Sequence, residues 1–212
     1  AATAEISVDL KLDETNYVNG ERIRGVVDIK NVTPSTVSAG YDDSPDRFFI
    51  ELYRASDHEQ MQRTSQGKFI APFILRPNEG QKFEVFLGDR YFLQSEGRYL
   101  ARPVLVHDGH RFEGMFRSFD IVEGIKVAGA LQMFKSDPAL RREFTLVRWQ
   151  RGGYEHLFLK ARDSGGRERK WRTTDIGPYM KLTKPVVSIL PGGEVIVVHR
   201  NGQDSFVRSE FW

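Results

Sequence analysis

The segment from Leu75 to Val122 constrains the fold of this chain more than any other part of the sequence. It contains the sequence Gly97-Arg98-Tyr99 and two long strand-like runs that meet at Asp108-Gly109. A tyrosine that follows a glycine by two residues, at the start of a late strand in a β-sandwich, is typically buried at the turn, where its hydroxyl bonds to upstream backbone. Asp-Gly between apolar runs predicts a two-residue hairpin, because a type I′ turn needs positive φ at both central positions. The segment therefore predicts the closing half of a β-sandwich.

Alternation of apolar and polar residues extends this prediction over the first 124 residues. In the first run, Ile6, Val8 and Leu10 point to one face, and Ser7 and Asp9 point to the other. One buried face per strand is typical of a sheet that packs on a core. On the same grounds we predict strands over residues 5–12, 21–30, 47–55, 68–75, 81–87, 98–107 and 110–122.

Seven predicted strands in this region resemble the immunoglobulin-like modules of bacterial cell-envelope and surface proteins, over about residues 4–123. The resemblance rests on Tyr17 and Gly20-Glu21, on Val27 to Asn31, on Leu75 to Gly80, and on Gly97-Arg98-Tyr99. The chain departs from the pattern two residues after the tyrosine, where Ala101 stands in place of the usual cysteine. Such modules bind, space or assemble, so the resemblance implies a non-catalytic protein that acts in assembly or adhesion, including a pilus-associated role.

A second all-β region is predicted to follow Glu123-Gly124. We therefore expect two domains, an immunoglobulin-like β-sandwich over 1–124 and an antiparallel β-sheet region over 125–212. Ser136-Asp137-Pro138 predicts one helical turn that runs to Arg142, because serine or aspartate caps a helix and proline suits its first position. The strands expected in this region are 125–134, 143–150, 154–161, 168–174, 186–190, 195–200 and 205–211.

The second region contains a possible internal repeat of 40 residues. Gly152-Gly153 corresponds to Gly192-Gly193, Val147 to Val187, and Trp171 to Phe211. Two copies are too few to close a propeller. Two similar hairpins in one sheet account for the pattern, and so does chance similarity between glycine turns.

Charge and composition narrow the function further. Residues 1–124 carry 15 Lys and Arg against 20 Asp and Glu, a net charge of −5, whereas residues 125–212 carry 16 against 9, a net charge of +7. Opposite signs favour either docking of the two halves or contact with two different partners.

The chain has no cysteine, which excludes disulfides, thiolate metal sites and a cysteine nucleophile. The small residues Ala1 to Ala4 are typical of the remnant of a cleaved signal peptide, although a cloning remnant or a frayed terminus explains them equally. We expect an exported protein of the periplasm, cell surface or medium.

Catalytic and metal-binding patterns are weak. No nucleophile elbow, zinc-protease helix or phosphate-binding loop motif occurs in the sequence, so we expect no enzyme activity, no catalytic residue and no cofactor. His107 and His110 flank Asp108 and form a possible zinc-binding tip, but we expect a solvated hairpin end and no metal. The loop from Asp42 to Asp46 is compatible with calcium, and a solvated polar turn is the simpler interpretation.

A basic stretch near residue 170 is the strongest candidate for binding. Arg167, Arg169 and Trp171 alternate with Arg172 and its neighbours, and an indole beside guanidinium groups suits stacking on a sugar while the charges meet an anion. The candidate ligand- or partner-binding residues are therefore Trp149, Tyr154, Arg167, Arg169, Trp171 and Arg172.

Several partners are compatible with these residues. The expected partner is a second copy of the chain or another envelope protein, and an anionic carbohydrate is the first alternative function; a proteinase inhibitor is the second. Nucleic acid is not expected, because the whole chain is nearly neutral, and no apolar run is long enough to span a membrane. The terminal Phe211-Trp212 is expected to pack into the second sheet or into a neighbouring subunit.

Overall fold

The chain is nearly all β in a computed structural model, which describes residues 5–42, 45–65, 67–134, 137–164 and 171–211. The predicted all-β class is confirmed. Within these ranges the helical content is a single 3₁₀ turn, Leu87–Asp89. No helix among these residues has the length and apolar character needed to cross a bilayer.

Two compact units divide the chain. The first comprises Ala1–Tyr17 and Arg22–Ile121, and the second comprises Val18–Glu21 and Val122–Trp212. The second unit is therefore discontinuous in sequence, since it includes a four-residue turn from the N-terminal half. The domain boundary predicted from the sequence places this turn with residues 1–124.

The strand bounds in the first part of the chain are β1 Ile6–Leu12, β2 Asn16–Val18, β3 Arg24–Asn31, β4 Val37–Ala39, β5 Arg47–Arg54, β6 Phe73–Leu75, β7 Gly80–Phe86, β8 Gly97–His107, β9 His110–Glu113 and β10 Arg117–Val122. These strands form three sheets, with the orders β1-β3-β7, β2-β10-β8-β5 and β4-β6, and β9 pairs with β8. The pairs β1–β3, β3–β7, β4–β6, β5–β8, β8–β9 and β8–β10 are antiparallel.

One hydrophobic core holds the first unit together. It takes Val27 and Ile29 from the β1-β3-β7 sheet and Ile50 and Leu52 from the other large sheet, and all four are fully buried. Two sheets that share one core form a β-sandwich. The alternation noted in the sequence produces this arrangement, because every second side chain of each strand points inward.

The two turn features of the 75–122 segment are confirmed. Tyr99 is 1% exposed, and its hydroxyl donates a hydrogen bond of 2.9 Å to the carbonyl oxygen of Ser95. Asp108 and Gly109 have φ of 49° and 74° and join β8 to β9, with His107 and His110 paired across the turn.

Two strand predictions in the first unit were too long. The run 68–75 contains Pro72, which has no N–H to donate, and the observed strand is limited to Phe73–Leu75. The run 110–122 breaks into β9 and β10 around Gly114. A Cβ atom at Gly114 would lie 2.4 Å from the carbonyl oxygen of Val8, so the close approach of β1 requires glycine there.

The strand bounds in the second unit are β11 Ile125–Phe134, β12 Asp137–Arg151, β13 Tyr154–Ser164, β14 Trp171–Pro178, β15 Val186–Ile189, β16 Val195–Arg200 and β17 Phe206–Phe211. These strands form two further antiparallel sheets, with the orders β11-β12-β13-β14 and β15-β16-β17. Leu146 and Leu157 of one sheet and Val195 and Val197 of the other are buried in a shared core.

The predicted placement of both repeat copies in one sheet is wrong, because the two hairpins lie in separate sheets. Their registers also differ by one residue. Val147 pairs with Phe158, whereas Val187 pairs with Val197. The glycine pairs are therefore comparable turns in hairpins that are not superimposable residue by residue.

The predicted helical turn up to Arg142 is also wrong. Asp137–Arg151 is one long strand, in which Arg142 pairs with Gln132 on one side and with Asp163 on the other. Pairing on both sides outweighs the local capping signal, since a backbone committed to two ladders has no free N–H groups for a cap to satisfy. Ser136 lies outside the described residues.

The C-terminal strand β17 contributes to the second core. Phe211 is partly buried and packs against the core cluster of this unit. Trp212, the other half of the predicted aromatic end, lies outside the described residues.

Candidate interaction surface

Two predicted aromatic site residues, Trp149 and Tyr154, lie close together at one end of the β11–β14 sheet. Trp149 pairs with His156, and Tyr154 pairs with Arg151. Residues opposite each other share a face, as do residues two apart on one strand, so all four side chains project from the same face. This face, opposite the one that packs Leu146 into the core, is here called the outer face. Tyr154 is 72% exposed and Trp149 is half-buried.

Of the other predicted residues, those that the structure describes lie away from this pair. Arg172 pairs with Ala161, which lies seven residues along β13 from Tyr154, or about 23 Å at 3.3 Å per residue. Ala161 packs against the core, so Arg172 projects from the opposite face to Tyr154. Trp171 pairs with Arg162 through the backbone, and Arg167 and Arg169 lie outside the described residues. The predicted residues therefore occupy at least two separate places.

A charged network that the sequence does not reveal lies beside Trp149 on the outer face. The guanidinium of Arg151 donates hydrogen bonds of 2.8–2.9 Å to Glu21 and of 2.8 Å to Asp175. Asp175 lies 2.9 Å from Nδ1 of His156. The Arg151 guanidinium also lies 4.8 Å above the ring of Phe158, a cation–π contact.

Burial governs the electrostatics of this network. The Arg151 side chain is 13% exposed and the Glu21 side chain 9%. Burial raises the pKa of Glu21, and the hydrogen bond from Arg151 opposes that shift. Burial also acts against the charged form of Arg151, but its contacts with Glu21 and Asp175 outweigh that effect and raise its pKa. The groups compensate one another, as a structural ion pair requires.

The turn Val18–Glu21 covers the middle of the outer face. Val18 is buried with Val147 and Phe158. Thr173 donates from its hydroxyl to the carbonyl of Asn19 at 2.6 Å, and from its backbone N–H to the carbonyl of Gly20 at 3.0 Å. Tyr154 at the aromatic end and Leu131 and Met133 on β11 are exposed on the same face.

Strand β11 forms an edge of its sheet. Among the described residues, β12 is the strand that pairs with it. The sequence from Val127 to Phe134 contains no charged residue and no proline. Register shifts occur near Lys126 and Phe134, and the pairing between them is regular. Leu131 and Met133 project from the outer face and are 55% and 60% exposed. Natural edge strands usually carry lysine or proline that blocks pairing with another chain, and the central part of β11 lacks both.

The histidines occupy three different environments. His199 on β16 is 1% exposed, and its Nε2 atom lies 3.2 Å from the carbonyl oxygen of Pro178. Burial lowers the pKa of His199, and the contact with Pro178 acts in the opposite direction. His110 is exposed at the β8–β9 turn. The expected solvation of the whole tip is wrong for His107, whose side chain is 12% exposed because Asp46 packs against it.

The acidic loop does not gather its carboxylates. Asp42 is fully exposed and pairs with Lys68 at 2.6 Å, and the hydrogen bond from Lys68 lowers the pKa of Asp42. Asp46 is buried and bonds to the hairpin tip instead. Asp43 lies outside the described residues. The two described carboxylates therefore serve separate partners, and their positions give no support to calcium binding.

Comparison with known proteins provides no family assignment. No protein-family model matches the chain, and no curated protein matches it either. Among solved structures, the sporulation control protein Spo0M from Bacillus subtilis aligns over 97% of this chain and 89% of its own length, with 12% sequence identity and a TM-score of 0.37.

Proposed function

We propose that this chain is a non-catalytic binding protein that assembles by protein–protein contact, and that the β11 edge pairs with β11 of a second copy. The observation that carries the proposal is the uncharged edge from Val127 to Phe134, with Leu131 and Met133 more than half exposed beside it. An unpaired row of backbone N–H and C=O groups is a template for another strand.

A second copy fits this edge better than a partner of opposite charge. Antiparallel pairing of β11 with itself creates a two-fold contact in which each patch meets its own equivalent. Like charges would oppose such a contact, and the central part of β11 has none. The two four-stranded sheets would join into one, and Leu131 and Met133 would lose water-exposed apolar surface.

The test is the molar mass of the protein in solution. We expect light scattering during size-exclusion chromatography to give twice the 24.4 kDa of the chain. The double substitution Leu131→Lys and Met133→Lys should produce a monomer, because each buried side chain contributes about 1.5 kcal/mol or more and two lysines would repel their equivalents. The loss of both contributions corresponds to a weakening of dimerisation by at least about a hundredfold.

Leu182→Lys is the matched control. Leu182 is 64% exposed and lies in the loop before β15, so its substitution should leave the dimer intact. A wild-type chain that remains monomeric at high micromolar concentration contradicts the proposal, as does a double variant that still dimerises with its fold intact.

A second candidate function is binding of an anionic carbohydrate at the aromatic end. The specific observation is the highly exposed ring of Tyr154 on the same face as the half-buried Trp149. Exposed aromatic faces suit stacking on a sugar. We expect an acidic oligosaccharide to quench tryptophan fluorescence, and Tyr154→Ala to weaken that response at least tenfold. An unchanged response in Tyr154→Ala would exclude this end of the sheet as the site.

The export and envelope location expected from the sequence stay predictions. A role as a proteinase inhibitor also stays a prediction, and no particular contact favours it.

A further inference from the structure

Asp46 brings a buried carboxylate to the tip of the β8–β9 hairpin, 61 residues away in sequence. Its Oδ2 atom lies 2.7 Å from Nδ1 of His107, and its Oδ1 atom accepts a 3.0 Å hydrogen bond from the backbone N–H of Asp108. An ionised carboxylate only accepts hydrogen bonds, so in the neutral imidazole the proton of this bond lies on Nδ1. The lone pair of His107 is then on Nε2. This is the arrangement by which an outer carboxylate orients a histidine that binds a metal.

The Nε2 atom of His107 lies near a second possible ligand. Nε2 of His107 lies 3.6 Å from Oδ2 of Asp108, which is too long for a good hydrogen bond. An ion placed about 2.1 Å from each of these two atoms would subtend an angle of about 120°, close to tetrahedral, and both distances are normal for zinc. The spacing of the pair therefore matches the bite of a metal ion.

The hairpin turn places both groups at one tip. Asp108 has a positive φ of 49° in the turn, and its side chain is 82% exposed. His110 pairs with His107 across the turn and is exposed, so a second imidazole belongs to the same tip. Its Nδ1 atom lies 3.0 Å from the carbonyl oxygen of Asp108.

We propose that this tip binds a divalent transition-metal ion of the zinc class, with His107 Nε2 and the Asp108 carboxylate as ligands and water completing the coordination. Asp46 is a positioning residue that touches His107 and not the ion. The mixture of imidazole and carboxylate favours zinc-like ions over calcium or magnesium, which prefer oxygen ligands alone.

Isothermal titration of the full chain with zinc chloride, after removal of trace metals by a chelator, tests the site. We expect one ion per chain. Asp108→Asn should weaken binding at least tenfold and still fold, because asparagine before glycine suits this turn. His107→Gln should also weaken it at least tenfold. His58→Asn is the control, since His58 is exposed elsewhere, has a positive φ of 57° that asparagine tolerates, and should leave the affinity unchanged.

Asp46→Asn tests the positioning role separately. The amide can donate to Nδ1 of His107, which moves the ring proton to Nε2 and blocks the ligand atom. We expect a 10–100-fold loss of zinc affinity. Ligand variants that melt at the wild-type temperature without metal yet fail to bind zinc support the proposal. A wild-type chain that does not bind zinc, or equal affinities in wild type, Asp108→Asn and His107→Gln, would overturn it; an unchanged affinity in Asp46→Asn would remove the role of Asp46.

Discussion

Replacing Arg151 by methionine is expected to lower the free energy of unfolding by about 3–5 kcal/mol, because it leaves two carboxylates in a poorly hydrated site without their cation. Glu21 and Asp175 have side chains that are 9% and 25% exposed, and both accept hydrogen bonds from Arg151. The cation–π contact with Phe158 is lost as well. Urea denaturation at neutral pH, followed by circular dichroism, measures the effect.

The control for this prediction is Arg208→Met. Arg208 pairs with Glu210 on β17, and its side chain is 55% exposed, so the loss should be about 1 kcal/mol or less. The Arg151→Met deficit should also shrink as the pH falls through the carboxylate range. An unpaired buried carboxyl has a raised pKa in the folded state, and protonation removes its charge. Equal losses in the two variants would mean that the network is no more than a surface ion pair.

Replacing Tyr99 by alanine is the second large expected effect, a loss of about 3–5 kcal/mol, as is usual for truncation of a buried aromatic residue. Tyr99 is 1% exposed, and its ring stacks on Phe119 with centroids 5.6 Å apart. Tyr99→Phe keeps the ring and removes only the hydroxyl that bonds to Ser95, so it should cost about 1 kcal/mol.

Denaturant unfolding of the two Tyr99 variants separates packing from hydrogen bonding. Alanine should lower the midpoint much more than phenylalanine. Nearly equal midpoints would mean that the ring contributes little to the core of the first unit, and the tyrosine would then act mainly through its hydroxyl.

Local patterns predicted the strands well where one face of the strand is buried. The alternation in Ile6 to Leu12 is reproduced by alternating burial, and Asp108-Gly109 forms the turn that its backbone preferences require. The errors have equally local causes. Pro72 shortens one strand, and Gly114 breaks another where β1 approaches.

Contacts between distant residues account for most of what the sequence could not predict. The Ser136-Asp137-Pro138 signal is typical of a helix start, but pairing of β12 on both sides overrides it. Glu21 and Arg151 are 130 residues apart, and Asp46 and His107 are 61 apart. Each of these residues looks like an ordinary surface charge in its own segment, so their burial together appears only in the folded chain.

The candidate surface also combines features set by local sequence with features that depend on the pairing of distant strands. Trp149 and Tyr154 flank a glycine turn, and the pairing of β12 with β13 brings them to one end of the sheet. The link from this pair to Arg172 needed the strand register, which puts Arg172 at the far end and on the opposite face. The exposed β11 edge depends on sheet order, which a pattern of alternation does not specify.

The most direct test of the proposed assembly is the molar mass in solution of wild-type protein and of the Leu131→Lys, Met133→Lys double variant, measured by light scattering over the same range of concentrations. Pairing through β11 predicts a dimer for the wild type and a folded monomer for the variant. Two identical masses, both folded, would contradict it.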